Sequence, residues 1–269
     1  MKKLATALVS AAAIMTISTT AFAAENPAEV FDRVMEKNNT IQSAEIQSGV
    51  HSVILAKDVI PDGQMKVDMA MHAEMDMQDT TDLKYLAQVA SSILGQDSYS
   101  QVFYTDGYYY VDANGVKLKY PMPLEQIISS VQTGVNTSNM ESSYMKGISL
   151  NEVNGKRVLA YEANPKKLNK NVKEALGTVM NTLGTDVNLD MNIQEMKGAY
   201  VLDDNDYIIY MTNYIVYNME VLDQPMTCIT LMETEVQNPG EPVVVTLPST
   251  DGYEDLIGLY DGVIESEVE

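Results

Sequence analysis

The stretch Met65-Lys-Val-Asp-Met-Ala-Met-His-Ala-Glu-Met-Asp-Met77 decides the fold that this sequence predicts. Every second residue from Met65 to Met77 is methionine, valine or alanine, and all but one of the residues between them are polar. A period of two residues is typical of a β-strand with one face against a core. At ~3.3 Å per residue this strand is on the order of 45 Å long, so it belongs to a large sheet.

Glycine turn pairs separate strand-like segments on both sides of this stretch. Such pairs favour the positive φ angles of tight hairpins, so the sequence predicts antiparallel neighbours. The pairs are Asp62-Gly63, Asp106-Gly107, Asn114-Gly115 and Asn154-Gly155. An alternating segment near 187–193 and strand-like runs near 207–219 and 226–236 add further long strands, with a break at Gln224-Pro225.

Four segments have helical periodicity instead. The first begins with Asn26 as N-cap and Pro27 as the first helical residue, and ends near Asn38. The second carries an apolar stripe from Leu83 to Leu94 and stops at Gly95. The other two cover about 124–131 and 164–183. Helices interspersed with antiparallel strands predict an α+β fold.

The N-terminus has the features of a secretory signal peptide over residues 1–23. Lys2 and Lys3 precede an apolar run, and Ala21-Phe22-Ala23 forms a small-residue cleavage site. The only cysteine, Cys228, is far from that site, so no lipid attachment is expected there. The sequence therefore predicts a secreted or extracytoplasmic protein with no stable membrane anchor of its own.

Charge restricts the partners of the protein. The chain carries a net charge of −21, and residues 249–269 form an acidic C-terminal segment. Nucleic acids and anionic membrane surfaces repel such a protein, so neither is an expected partner.

Four stretches resemble the lipoprotein-carrier (LolA/LppX-like) superfamily, in particular its exported branch in Gram-positive bacteria. They are Asn26-Pro27-Ala28-Glu29, the strand at 65–77, the segment 103–110 with Lys117-Leu118-Lys119, and Val245-Thr246-Leu247-Pro248. The resemblance implies one domain over residues 24–248. It also implies a large, strongly curved antiparallel sheet, a half-open barrel, with helices packed on its concave side around a groove for an apolar ligand.

The expected ligand is a lipid, an acyl chain or another apolar small molecule. The residues expected to line the groove are Met69, Met71, Met75, Val187, Leu189, Met191 and Ile193. Methionine is unbranched and polarizable, so a face built from it adapts to irregular ligands. The same side chains also suit an ordinary core. A Cu(I) site is a third interpretation, but same-face residues of one strand are ~7 Å apart and share one ion only if neighbouring strands add ligands.

The sequence contains no recognisable catalytic constellation. His51 and His72 lie on the polar side of predicted strands, and Asp203, Asp204 and Asp206 have the pattern of a turn and lack the spacing of a calcium loop. We therefore expect a protein that is not an enzyme and has no metal or other cofactor. The alternative to a carrier is an interaction or sensor protein with a filled core that recognises another exported protein.

Overall fold

The computed structural model describes residues 25–56, 60, 62–79, 83–123, 140–170, 191–221 and 224–256. The predicted signal peptide, the predicted helix at 124–131 and most of the predicted helix at 164–183 lie outside these residues. So do Val187, Leu189 and the acidic tail beyond Leu256.

The described part of the chain is mostly β-strand. Helix α1 covers Pro27–Asn38, a 3₁₀ turn covers Ser142–Tyr144, and a second helix is described over 165–170. The strands are β1 (Ser43–Leu55), β2 (Gln64–Asp76), β3 (Lys84–Ile93), β4 (Gln96–Thr105), β5 (Tyr108–Ala113), β6 (Val116–Pro121), β7 (Met145–Val153), β8 (Lys156–Ala163), β9 (Met191–Leu202), β10 (Ile208–Val221), β11 (Gln224–Gln237) and β12 (Glu254–Asp255).

These strands form one sheet in the order β12-β6-β5-β4-β3-β2-β1-β11-β10-β9-β8-β7. The pairings within β3–β6 and within β7–β11 are antiparallel, and β12 joins β6 in parallel. The order has two ends, so the sheet does not close on itself. A large antiparallel sheet is therefore confirmed, whereas helices on a concave side stay a prediction.

Helix α1 begins at the residue that the sequence predicts, with Asn26 as its N-cap. The Asn26 side chain accepts a hydrogen bond from the Ala28 amide at 3.1 Å and donates one to Glu29 Oε1 at 3.1 Å. The first of these bonds satisfies a main-chain amide that a helix N-terminus leaves open, and the second joins the cap to a side chain of the first turn. The apolar side chains Val30, Phe31, Val34 and Met35 are buried.

The predicted helix from Leu83 to Leu94 is wrong, because this segment is strand β3. Leu83 and Ala87 pack in one apolar cluster, whereas Leu86 packs in another with Phe103. A strand buried on both faces loses the apolar–polar alternation, and its apolar residues then mimic helical spacing. Leu94 and Gly95, with φ of 53° and 76°, make the hairpin turn into β4.

The chain divides into two compact units, each assembled from three stretches. Unit 1 contains residues up to Asn38, Gly49–Asp68 and Ser138–Glu235, and unit 2 contains Asn39–Ser48, Met69–Thr137 and the chain from Val236. In unit 1, α1 packs on β7 to β10, where the Phe31 ring meets the Tyr161 ring edge-on at 5.8 Å. This packing buries the apolar face of α1.

Unit 2 has apolar clusters on both faces of its strands. One contains Ala73, Met75 and Met77 of the methionine strand. The other is built on Phe103, whose ring stacks on Tyr110 at 4.6 Å and meets Tyr253 edge-on at 5.6 Å. The segment from Val243 to Tyr253 therefore covers this second face.

Candidate functional site

Two side-chain contacts distinguish the two faces of the sheet in unit 1. Ser52 Oγ lies 2.9 Å from Thr230 Oγ1, and Thr230 pairs with Ile215, which packs against the α1 core. We call this side the helix face. His51 Nδ1 contacts Asp68 Oδ1 at 2.7 Å on the other side, the opposite face.

A half-buried apolar surface lies on the helix face of unit 1. Because side chains alternate along a strand, residues an even number of positions from Ser52, from Thr230 and from the residue before Asp68 share this face. Apart from Gln224 and the buried Cys228 and Thr234, the remaining unit 1 residues at these positions are large, apolar and neither fully buried nor fully exposed. We call them the apolar floor: Val50, Ile54, Met65, Val67, Met226 and Met232.

The predicted groove residues of β2 fall in unit 2 and differ in burial. Met75 is only 1% exposed and belongs to a core cluster, and Met71 packs against the same cluster. Met69, in contrast, is 40% exposed. The alternation predicted for this strand is present, but its burial increases toward Met77.

The predicted residues of the last third belong to unit 1. Ile193 is buried in the core beneath α1, and Met191 is half-buried at the start of β9. Val187 and Leu189 lie outside the described residues. The five described residues of the predicted groove are thus distributed over two units, and the joint role of all seven as a groove stays a prediction.

The opposite face of unit 1 holds a pocket that the sequence analysis missed. Its volume is about 280 Å³. The lining is made by His51, Ser52, Val53, Lys66, Asp68, Tyr214, Ile229 and Leu231. The lining combines two consecutive strand pairs, β1–β2 and β10–β11, that are distant from each other in sequence, and no local motif marks it. The one sequence signal for this pocket is that Val53, Ile229 and Leu231 are apolar. Each lies on the strand face that alternation would make polar.

Both histidines are held by carboxylates. Besides the His51 contact, His72 Nε2 lies 3.1 Å from Glu74 Oε1, and its Nδ1 lies 3.9 Å from Glu45 Oε1. Within the described ranges, no three side chains of the His, Cys, Asp or Glu type are arranged to share a metal ion. Cys228 is buried, and its thiol contacts the Met219 sulfur at 3.7 Å.

Tyr161 and Tyr200, two tyrosines with strongly raised pKa values, lie in the core of unit 1. Burial raises the pKa of Tyr200 to about 12 and holds the pKa of the Tyr161 hydroxyl well above its ordinary value. The Tyr161 hydroxyl donates a hydrogen bond to Asn213 Oδ1. Both hydroxyls are therefore neutral at physiological pH, and their rings pack in the core beneath α1.

The acidic cluster at 203–206 is a turn, as its pattern indicates. Asp203 Oδ1 accepts hydrogen bonds from the amides of Asn205 and Tyr207, each at 2.8 Å. Asp206 accepts hydrogen bonds from Arg33 Nε at 2.8 Å and from Arg157 Nη1. Burial acts to raise the pKa of the Asp206 carboxyl, but the hydrogen bonds from both arginines outweigh it and lower that pKa.

Replacing Asp206 with asparagine is expected to reduce the free energy of unfolding by about 1.5 kcal/mol, between the values typical of exposed and of buried ion pairs. Because the folded-state pKa is lowered, this contribution is complete above the unfolded-state value of ~3.9 and disappears as the pH falls below it. Urea unfolding of both proteins between pH 7 and pH 3 measures this. Asp204, exposed in the same turn, provides the control: D204N should change little at any pH. Equal effects of the two substitutions would contradict the assigned role of Asp206.

The described elements define a mostly-β protein built on one open antiparallel sheet. The chain belongs to a family of unknown function, DUF6612, whose model matches residues 26–248. No curated protein matches the chain. Among the described residues, no helix combines the length and apolar character that a membrane crossing requires.

Several solved structures are similar at low sequence identity. LprF from Mycobacterium bovis is 10% identical over 83% of this chain and 97% of its own, with a TM-score of 0.36. The lipoprotein LppX from Mycobacterium tuberculosis is 9% identical over 82% of this chain and 100% of its own, with a TM-score of 0.35. A β-barrel-like DUF1849 protein from Brucella abortus is 11% identical over 74% and 100%, with a TM-score of 0.25. Because all three TM-scores are below 0.5, we infer neither a ligand nor a mechanism from these likenesses.

Proposed function

We propose that the protein is an exported, non-catalytic carrier that binds an apolar chain, such as the acyl chain of a lipid, on the apolar floor of unit 1. The observation that carries the proposal is the floor itself: six large apolar side chains on one face of β1, β2 and β11, all half-buried. The Ser52 and Thr230 hydroxyls that lie among these side chains contact each other, and a half-buried apolar surface of this kind is typical of ligand grooves and interaction sites.

The composition of the floor suits a flexible ligand. Met65, Met226 and Met232 have unbranched side chains that change shape at low cost, so one surface accepts chains of differing length or saturation. Val50 and Val67 add rigid apolar area between them. This surface differs from the groove expected from the sequence, two of whose residues, Met75 and Ile193, pack in cores.

Introducing a charge into the floor is expected to abolish ligand binding. In Val67→Glu a carboxylate faces the bound chain, and desolvating it costs several kcal/mol, so occupancy should fall at least tenfold. The measurement is native mass spectrometry of protein starting at Ala24, purified gently from its own host, with extraction and identification of bound molecules. Reloading of stripped protein with the fluorescent fatty acid cis-parinaric acid gives the affinity.

The matched control is Gln64→Glu, which adds the same charge to the same strand but on the opposite face. Gln64 is exposed, so this variant should keep its ligand and its thermal stability. Wild-type protein that is empty and takes up no cis-parinaric acid would overturn the carrier proposal. Equal losses in V67E and Q64E would show that the floor is not the site.

Recognition of another exported protein is the second candidate, and one observation favours it. Leu94 and Val116, in and beside the hairpin turns of unit 2, are 70% and 61% exposed. Exposed apolar side chains of this size occur at protein interaction sites. If this candidate is correct, in-cell crosslinking from position 94 or 116 yields one reproducible partner, and Val67→Glu leaves that crosslink intact.

A further inference from the structure

We propose that the pocket on the opposite face of unit 1 is a second ligand site, which binds a small free amphipathic carboxylate. It is distinct from the apolar floor, because the two use opposite faces of the same strands. Of the pocket residues, Ser52 alone has its side chain on the helix face, where its hydroxyl contacts Thr230.

The pocket is lined by apolar groups contributed by three strands. Leu231 pairs directly with Tyr214 across β11 and β10, and Ile229 lies two residues from Leu231 on the same face. Val53 adds a fourth apolar group from β1. A volume of about 280 Å³ is at the small end for ligand pockets. The occupant is therefore a short chain or a single ring rather than a complete membrane lipid.

The charges around the pocket favour a negative head group. Asp68, the carboxylate in the lining, is held by His51 at 2.7 Å. Glu195 on β9 is held by Lys197 at 2.9 Å, and the Lys197 ammonium lies 4.9 Å from the centre of the Tyr214 ring. Lys66 lines the pocket and has no ion-pair partner among the described residues. Its ammonium is thus the cation left to bind a ligand carboxylate.

The Asp68 contact also orients the His51 ring. With Nδ1 directed at Asp68, the ring holds this carboxylate on its own side of the pocket. The net charge of −21 still disfavours anions at long range, so the apolar contacts to Ile229 and Leu231 are needed for binding.

The test is a titration of methyl-labelled protein with sodium octanoate and, separately, with octanol, followed by NMR. Ile, Leu and Val methyl groups report on both faces: Val53, Ile229 and Leu231 for the pocket, and Val50, Ile54 and Val67 for the apolar floor. We expect octanoate to shift the pocket methyls saturably and to bind about tenfold more tightly there than octanol. Lys66→Gln should remove that tenfold preference and leave octanol binding unchanged.

The control for lost positive charge is Lys156→Gln, since Lys156 is an exposed lysine of the same unit. It should bind octanoate as the wild type does. Three results would overturn the proposal: no saturable shift of the pocket methyls, shifts confined to the floor methyls, or an octanoate preference that persists in K66Q. The second of these would still support the carrier function, so the two proposals fail separately.

Discussion

Replacing Gly198 with alanine is expected to lower the free energy of unfolding by about 3 kcal/mol, which corresponds to a fall of about 10 °C in melting temperature. Gly198 is buried in β9 between Tyr161 of β8 and Asn213 of β10. A Cβ atom there would lie 2.5 Å from both Asn213 Oδ1 and the Thr212 carbonyl oxygen, and 2.8 Å from the Tyr161 hydroxyl. The main-chain carbonyl cannot move without disturbing the β9–β10 pairing, so the strain is not relieved cheaply.

Gly147→Ala is the matched control for this prediction. Gly147 is a strand glycine of the same unit, and a Cβ atom added there meets no atom within 4 Å. Because alanine has less conformational freedom in the unfolded chain than glycine, this variant should be unchanged or more stable by up to about 1 kcal/mol. Thermal and urea unfolding of both variants measure the two changes in stability. A G198A protein as stable as G147A would show that the β8–β9–β10 packing described above is incorrect.

Replacing Phe103 with alanine is expected to cost about 4 kcal/mol and to release the C-terminal segment of unit 2. The Phe103 ring is fully buried, and it supports the rings of Tyr110 and Tyr253 at once. Its loss leaves a cavity under Val245 and Tyr253, the residues that hold this segment on the sheet. Limited proteolysis should therefore cut within 243–253 at protease concentrations that leave the wild type intact.

Tyr99→Ala controls for the loss of an aromatic ring from the same strand. Tyr99 is on the same side of β4 as Phe103, but it is 44% exposed. We expect a change below about 1 kcal/mol and no new cleavage. If Y99A and F103A were cleaved equally, Phe103 would not be the anchor of this segment.

The sequence predicted best those features that depend on local chemistry. Asp106-Gly107, Asn114-Gly115 and Asn154-Gly155 all adopt positive φ at both residues, as their hairpins require. Asn26 caps α1 for an equally local reason. The strand pairing that follows from these turns was therefore predictable.

Features that depend on distant residues were not predictable in this way. The two-sided burial of β3 arises from the segment around Val245 and Tyr253, far along the chain. For the same reason alternation identified the face of Met75 but not its burial in a core. The opposite-face pocket requires the register of four strands, and no single segment of sequence encodes that register.

Because each unit is built from three separate stretches of the chain, folding depends on contacts between residues that are far apart in sequence. Ser52 contacts a residue 178 positions away, and Ser43 contacts one 200 positions away. Such topologies have high contact order and fold slowly, since the entropy of closing large loops is lost before the contacts form. Neither unit is complete until most of the polypeptide has emerged from the ribosome. Synthesis therefore leaves a period in which the nascent chain is still unfolded.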